Sequence, residues 1–341
     1  MDVNALSSQR RKRAVYVSLV LLGVALTVIF ISLNTGTFRL PPWNVVKALF
    51  GYGSVEESMI LFEFRLPRIA ITMLAGVGLG ISGAVFQVAS RNTLADPGIL
   101  GINAGAAFGL IAYISFFQKL DGPAALMIPL FTFGGGAVIA LVIFLLAYDR
   151  VKGLIPIRLI LVGIAISAGI GAMTLLLSLR LDEDTYAFAA RWLAGSVWSK
   201  DWINVWALLP WIVVLVPIIY YRSSTLDLFA LGDDTAVGVG EAVIKSRVVL
   251  LSLAVALSCA SVSMAGGIGF IGLAAPHIAK RLVGPRHRHF LPVAGLVGLV
   301  ILVAADTIGR SLFQPNAVPA GVVVAAIGGP YFLLLLFKTK A

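Results

Sequence analysis

Few residues in this 341-residue chain are of kinds that do chemistry, and their neighbours decide what each can be for. The three histidines, His277, His287 and His289, stand close enough in sequence to gather a metal ion. Lys280, Arg281, Arg286 and Arg288 surround them, however, and one more cation there is disfavoured. Packing and inner-surface roles fit them better, and no metal or other cofactor is expected. Gly78-Leu-Gly-Ile-Ser-Gly83 has the form G-x-G-x-x-G, but a dinucleotide loop needs a strand before it and a helix start at it. Here the motif lies inside a long apolar run, where glycines let helices pack closely; Gly101, Gly105 and Gly109 repeat the four-residue spacing of Gly76 and Gly80. No G-x-x-x-x-G-K-S/T loop occurs, so if ATP drives this chain a partner hydrolyses it. No Ser/His/Asp or paired-carboxylate arrangement is visible either, and the chain is not expected to be an enzyme.

Two polar features remain. The first is the stretch from Tyr221 to Arg247, the longest polar passage in the chain, containing Leu231-Gly-Asp-Asp-Thr-Ala-Val-Gly-Val-Gly240. The second is a set of arginines, Arg65 and Arg68 in Arg65-Leu-Pro-Arg68, and Arg310. These read either as side chains reaching for the membrane interface or as a positive rim that orients an acidic partner.

The elements that position them follow from composition. The chain is 59% apolar and 12% charged, against about a quarter charged in soluble domains, so it is an integral membrane protein. Its apolar runs reach the roughly 18 residues a spanning helix needs, and the alternation of a membrane barrel is missing. Cys259 has no partner in the chain and reads as a small packing residue.

Arg10-Arg-Lys-Arg13 precedes the first apolar run, 14–33, with no signal-peptide cleavage pattern after it. An external segment, 34–65, follows, with a short interfacial helix at Pro41-Pro42-Trp43. Further spans are expected at 66–90, 98–117, 124–148, 159–179 and 202–221, with an outer turn at Lys119-Leu-Asp-Gly-Pro123, a basic inner loop at Asp149-Arg-Val-Lys152, and a partly inserted outer helix at 185–199. The run 248–283 is too long for one span, and four glycines, Gly266, Gly267, Gly269 and Gly272, sit in its middle. It splits into helices 248–265 and 268–283, because a single span would put the basic loop after it outside, against the bias of Lys and Arg toward the cytoplasm. Spans at 291–305 or a little beyond and at 318–337 complete an all-α polytopic bundle of ten transmembrane helices, a single domain over 1–341 with both termini cytoplasmic. On this topology the whole net charge of +10 falls on the inner face, so the basic balance is topology and no nucleic-acid partner is implied. No acid lies at the centre of a span so placed, which weakens a cation-coupled secondary carrier as the rival reading; the broken helix at 268–283 keeps that rival open.

Taken together, Arg65-Leu-Pro-Arg68, Gly83-Ala-Val-Phe-Gln87, Arg91-Asn-Thr-Leu-Ala-Asp-Pro97 with Leu100-Gly-Ile102, Leu231-Gly-Asp-Asp-Thr-Ala236, Gly267-Ile-Gly-Phe-Ile-Gly-Leu273 with Pro276-His277, Ala305-Asp306 with Arg310, and Ile327-Gly-Gly-Pro330 resemble the FecCD-type permeases of ABC importers for iron-siderophores, haem and cobalamin. The resemblance runs from about Arg65 onward. It implies a type II importer permease, paired with a second permease subunit in the bacterial cytoplasmic membrane, above ABC ATPase subunits and beneath an extracytoplasmic substrate-binding protein. It also implies that the loop 221–247 couples to the ATPase through Leu231, Gly232, Asp233, Asp234, Thr235, Ala236, Gly238 and Gly240, that Arg65, Arg68 and Arg310 dock the binding protein, and that the fifth and tenth spans wall the pathway. The small residues Ala236, Gly238 and Gly240 suit entry into a partner cleft. Two departures stand out: Thr93 replaces the family's usual proline, and Ala317 its usual glutamate ahead of the last span, so no carboxylate acts at that point of the outer mouth.

Overall fold

The computed structural model describes residues 3–36, 38, 40–117, 124–150, 153–198, 200–312 and 317–339. The expected outer turn at Lys119 to Pro123, and Val151 and Lys152 of the inner loop, lie outside the described residues. Helices dominate: α1 (Val3–Asn34), α2 (Pro42–Leu49), α3 (Val55–Met59), α4 (Leu66–Ala89), α5 (Asn103–Phe117), α6 (Ala124–Ala147), α7 (Pro156–Ser178), α8 (Glu183–Leu193), α9 (Trp202–Tyr221), α10 (Ser223–Leu231), α11 (Asp233–Gly238), α12 (Val243–Ala265), α13 (Ile271–Val283), α14 (His287–Leu312) and α15 (Ala320–Thr339). Seven helices among the described residues are long and apolar enough to cross a membrane; α5 and the apolar part of α15 are shorter pieces by the same measure, and α13 is 13 residues long with Lys280 and Arg281 in its last turn.

Helix starts are set by local chemistry. Ser54 and Glu57 form a reciprocal capping box at α3, Asp182 accepts from the Thr185 amide to start α8, and Asp201 and Asn204 cap α9 in the same reciprocal way. Each satisfies amides that a helix start leaves open.

Several expected bounds move. The second half of the expected outer segment is helical: α3 continues through a π-helical turn, Ile60–Arg65, into α4 as one 35-residue stretch, Val55–Ala89. The helix expected at 185–199 is shorter and earlier, because Gly195 adopts a φ of +79° just past its end. α14 runs beyond both ends of its apolar segment and so takes Asp306 inside it. Hydropathy marks where lipid would lie, whereas backbone hydrogen bonding decides where a helix stops. Part of the inner loop forms a two-residue antiparallel ribbon, with Tyr148 opposite Leu154.

α4 is the buried centre and packs against α14, α12 and α13. The glycines read as packing residues do that here: a Cβ on Gly76 would come within 2.6 Å of the Gly298 carbonyl oxygen, and one on Gly83 would overlap the backbone of Gly272. The break between α12 and α13 falls where the glycines predicted it. Gly266 and Phe270 both take positive φ, +82° and +71°, and the phenylalanine is the unusual one, since a side chain disfavours that region.

Candidate functional site

At one end of the bundle the polar passage folds as two short helices in sequence. α10 ends at Gly232, whose φ of +115° is open to glycine at little steric penalty, and α11 follows at once. The Asp233 carboxylate lies 2.7 Å from an Arg91 guanidinium nitrogen and 2.5 Å from one of Arg247. Arg247 is buried, with its guanidinium 5.3 Å from the Phe229 ring centre. One carboxylate therefore ties α11 both to α12 and to the turn after α4.

Ala236 is fully buried within this knob. That corrects the expectation that it presents a small surface to a partner: it is the internal packing residue that lets α11 lie close to its support. Gly238 and Gly240 are exposed, with open space where a Cβ would stand. Asp234 and Thr235 are exposed as well. Leu231, expected at this surface, is 67% exposed, and sequence reasoning missed the two valines beside the glycines: Val237 and Val239 are 60% and 64% exposed. Two valines set in the most polar passage of the chain were the available signal. The role of Arg91 carried no such signal, because it lies far from Asp233 along the chain, and Arg247, 14 residues on, meets Asp233 only once α12 packs beside α11.

Beneath the knob, His287 of α14 holds α10. Its backbone amide donates to Asp227 at 2.8 Å, and its ring Nδ1 lies 2.6 Å from the same oxygen. Burial works against ionisation of Asp227, but the hydrogen bonds from His287 outweigh it and hold the carboxyl below its usual range. A recess of about 420 Å³ lies alongside, lined in part by Gln87, Arg91, Leu231, Gly232 and Lys280.

At the other end the three predicted arginines come together on α4, its π-helical entry and α14, and none stands free. Arg310 donates to the Thr35 carbonyl at 2.9 Å and to both Ser32 oxygens at 2.8 Å. Arg65, buried, donates to the carbonyls of Leu33 and Phe38. These are the last carbonyls of α1 and the residues just after it, which a helix end leaves open and which carry its negative dipole. Arg68 grips Asp306 through both Nε and a terminal nitrogen, at 3.1, 3.0 and 2.7 Å. The expectation of an open positive rim is corrected to this extent: in this geometry the arginines staple α1, α4 and α14 together, because buried guanidinium groups take whatever acceptors the fold offers.

Comparison with known proteins agrees with the fold. Residues 24–338 match the model of the FecCD transport family. Two similar relatives are from Bacillus subtilis (strain 168): the iron(3+)-hydroxamate import system permease protein FhuG, 43% identical over 92% of this chain and 94% of its own, and the iron-uptake system permease protein FeuC, 42% identical over 97% and 98%. A solved inward-facing structure of a metal-chelate type ABC transporter superposes with a TM-score of 0.82 at 27% identity, covering 95% of this chain and 99% of that one.

Proposed function

The chain belongs to the FecCD transport family, and from that membership we propose that it is the permease subunit of an ATP-binding-cassette importer. Its cargo in this reading is an iron(III)-siderophore, passed from an extracytoplasmic binding protein to the cytoplasm. The names of FhuG and FeuC, both iron-import permeases similar over nearly the full chain, support the cargo class. The ten-span topology, in a bacterial cytoplasmic membrane with both termini on the cytoplasmic side, draws its support from the seven long helices together with α5, α13 and α15. A second permease subunit completes the pathway.

The observation that carries the coupling role is the knob at α10 and α11. Its inner side is locked by Asp233 and Ala236, while its outer side offers Leu231, Val237 and Val239 to water. A rigid apolar knob on a polar face is a surface made to be covered, and the ATPase subunit is the partner assigned to it. ATP-driven movement of that subunit would push α11, and through Arg247 and Arg91 shift α12 and the end of α4. At the outer face, glutamates of a docked binding protein would compete with the α1 carbonyls and Asp306 for Arg65, Arg68 and Arg310. Docking and rearrangement of α1, α4 and α14 are then one event.

The test is reconstitution of the chain with its ATPase and loaded binding protein in vesicles. Uptake of the iron chelate that stops without ATP, and continues when proton and sodium gradients are collapsed, is the expected result. Uptake that follows a cation gradient instead would overturn the reading.

A further inference from the structure

A second recess, of about 470 Å³, opens where α9 ends and α14 begins. It is lined by Pro217, Tyr220, Tyr221, Ser223, Ser224, Asp227, Arg286 and Arg288, and nothing in the transport reading uses it. Its acid, Asp227, is hydrogen-bonded by His287 and also feels the charge of Arg286. Arg286 and Arg288 are exposed, and among the described residues neither has an ion-pair partner at contact distance. Two guanidinium groups thus face one concavity with their donor forks unused, a geometry that matches the oxygens of a phosphate. Ser223 and Ser224, which also line it, stand at the start of α10, which has no side-chain cap. The dipole of that nine-residue helix favours an anion there.

The depth of the recess indicates where that phosphate comes from. Pro217 belongs to the apolar interior of α9, and Tyr220 and Tyr221, 40% and 83% exposed, close that helix. Tyrosines at the end of a spanning helix sit at headgroup level. The wall of the recess therefore starts inside the hydrocarbon and finishes among cations at the inner surface, the order of groups in a phospholipid read from chain to headgroup. We propose that this recess binds the headgroup phosphate of an anionic phospholipid of the inner leaflet, with Arg286 and Arg288 as the phosphate ligands and Tyr220 and Tyr221 flanking the glycerol region. The proposal rests on the membrane reading of α9 and α14 and is independent of which cargo is carried.

The experiment is native mass spectrometry of the purified full-length chain, with phosphatidylglycerol, phosphatidylcholine of the same acyl chains, and inorganic phosphate as probes. Wild type should retain phosphatidylglycerol over phosphatidylcholine, and millimolar inorganic phosphate should not displace it. The double variant Arg286→Gln/Arg288→Gln should lose retention by roughly tenfold or more, from two charges that each draw anionic lipid. Arg286→Lys/Arg288→Lys, which keeps the charges but loses the forks, should fall between the glutamine variant and wild type, and Lys245→Gln, on α12 away from the recess, should change nothing. Equal retention of the two lipids, unchanged retention in the glutamine variant, or displacement by inorganic phosphate, which would mark a soluble-anion site, each overturns the proposal. So does a glutamine variant that keeps its lipid but no longer co-purifies with the ATPase, since the surface would then belong to the motor. If that variant fails to fold, the comparison of probes on wild type still decides.

Discussion

Arg68 on α4 and Asp306 on α14 form a two-pronged ion pair in which the carboxylate is almost wholly enclosed, its side chain 1% exposed. It joins the two helices that make the most extensive contact in the molecule. Removing one member of an enclosed pair leaves a buried charge and costs about 3–5 kcal/mol, whereas replacing both with apolar groups is often neutral. Asp306→Ala and Arg68→Ala should each lower the unfolding midpoint measured by intrinsic fluorescence in detergent, and Arg68→Met/Asp306→Leu should recover most of the loss. Single variants as stable as wild type would show that the pair does not hold α4 to α14.

Asp233 bridges Arg91 and Arg247, so the knob should keep its fold but lose its rigidity when that carboxylate is neutralised. Asp233→Asn is expected to reduce ATPase stimulation by loaded binding protein about tenfold or more, with a stability loss of about 1–3 kcal/mol because the buried Arg247 loses its charge partner. Stimulation at the wild-type level would remove Asp233 from the coupling path.

Val237 and Gly238 face outward with no packed neighbours on the glycine. Val237→Glu and Gly238→Glu should therefore leave thermal stability within about 0.5 kcal/mol and abolish co-purification of the ATPase. Ala236→Glu, by contrast, should unfold the knob, because Ala236 is enclosed. An ATPase that still binds the Val237→Glu variant would place the docking surface elsewhere.

The Asp227 carboxyl is held below its usual range by His287. A carboxyl depressed on folding contributes stability above its unfolded pKa of about 3.9, and loses it as pH falls through the lower folded value. Asp227→Asn should therefore be less stable than wild type at pH 7, and the gap should close as the pH is taken below about 4. A gap independent of pH would mean that shape, not charge, joins α10 to α14.

A glycine prediction follows from packing alone. Gly83→Leu would drive a side chain into the Gly272 backbone, and overpacking of this kind costs about 1–3 kcal/mol or more. Expression of folded protein, read by fluorescence-detected size exclusion, should fall sharply, and a monodisperse wild-type-like peak would contradict the packing.

How much was legible varied with the range of the interaction. Apolar runs announced the long helices, and the glycines around Gly266 announced the broken one, because both signals are local. The helical continuation of Val55–Ala89 was not legible, since Glu56, Glu57 and Glu63 make that segment look like loop while its capping box and π-helical turn keep it wound. In the polar passage, types and spacing picked out the residues from Leu231 to Gly240 but not their orientation. Ala236 looked like a surface residue and is a core one, and Val237 and Val239 went unnoticed although they are the exposed apolar face.

By itself the sequence determined that this chain is a helical membrane protein whose longest polar passage runs from Tyr221 to Arg247. Hydrophobicity, charge bias and glycine spacing are summed along the chain, and a sum survives ignorance of the fold. Only the tertiary structure decided that Arg310 reaches back to Ser32, that Arg68 takes Asp306, and that one carboxylate at Asp233 serves two arginines. Each of those choices depends on which acceptor lies within about 3 Å of a guanidinium once distant helices have packed, and that distance is a property of the bundle.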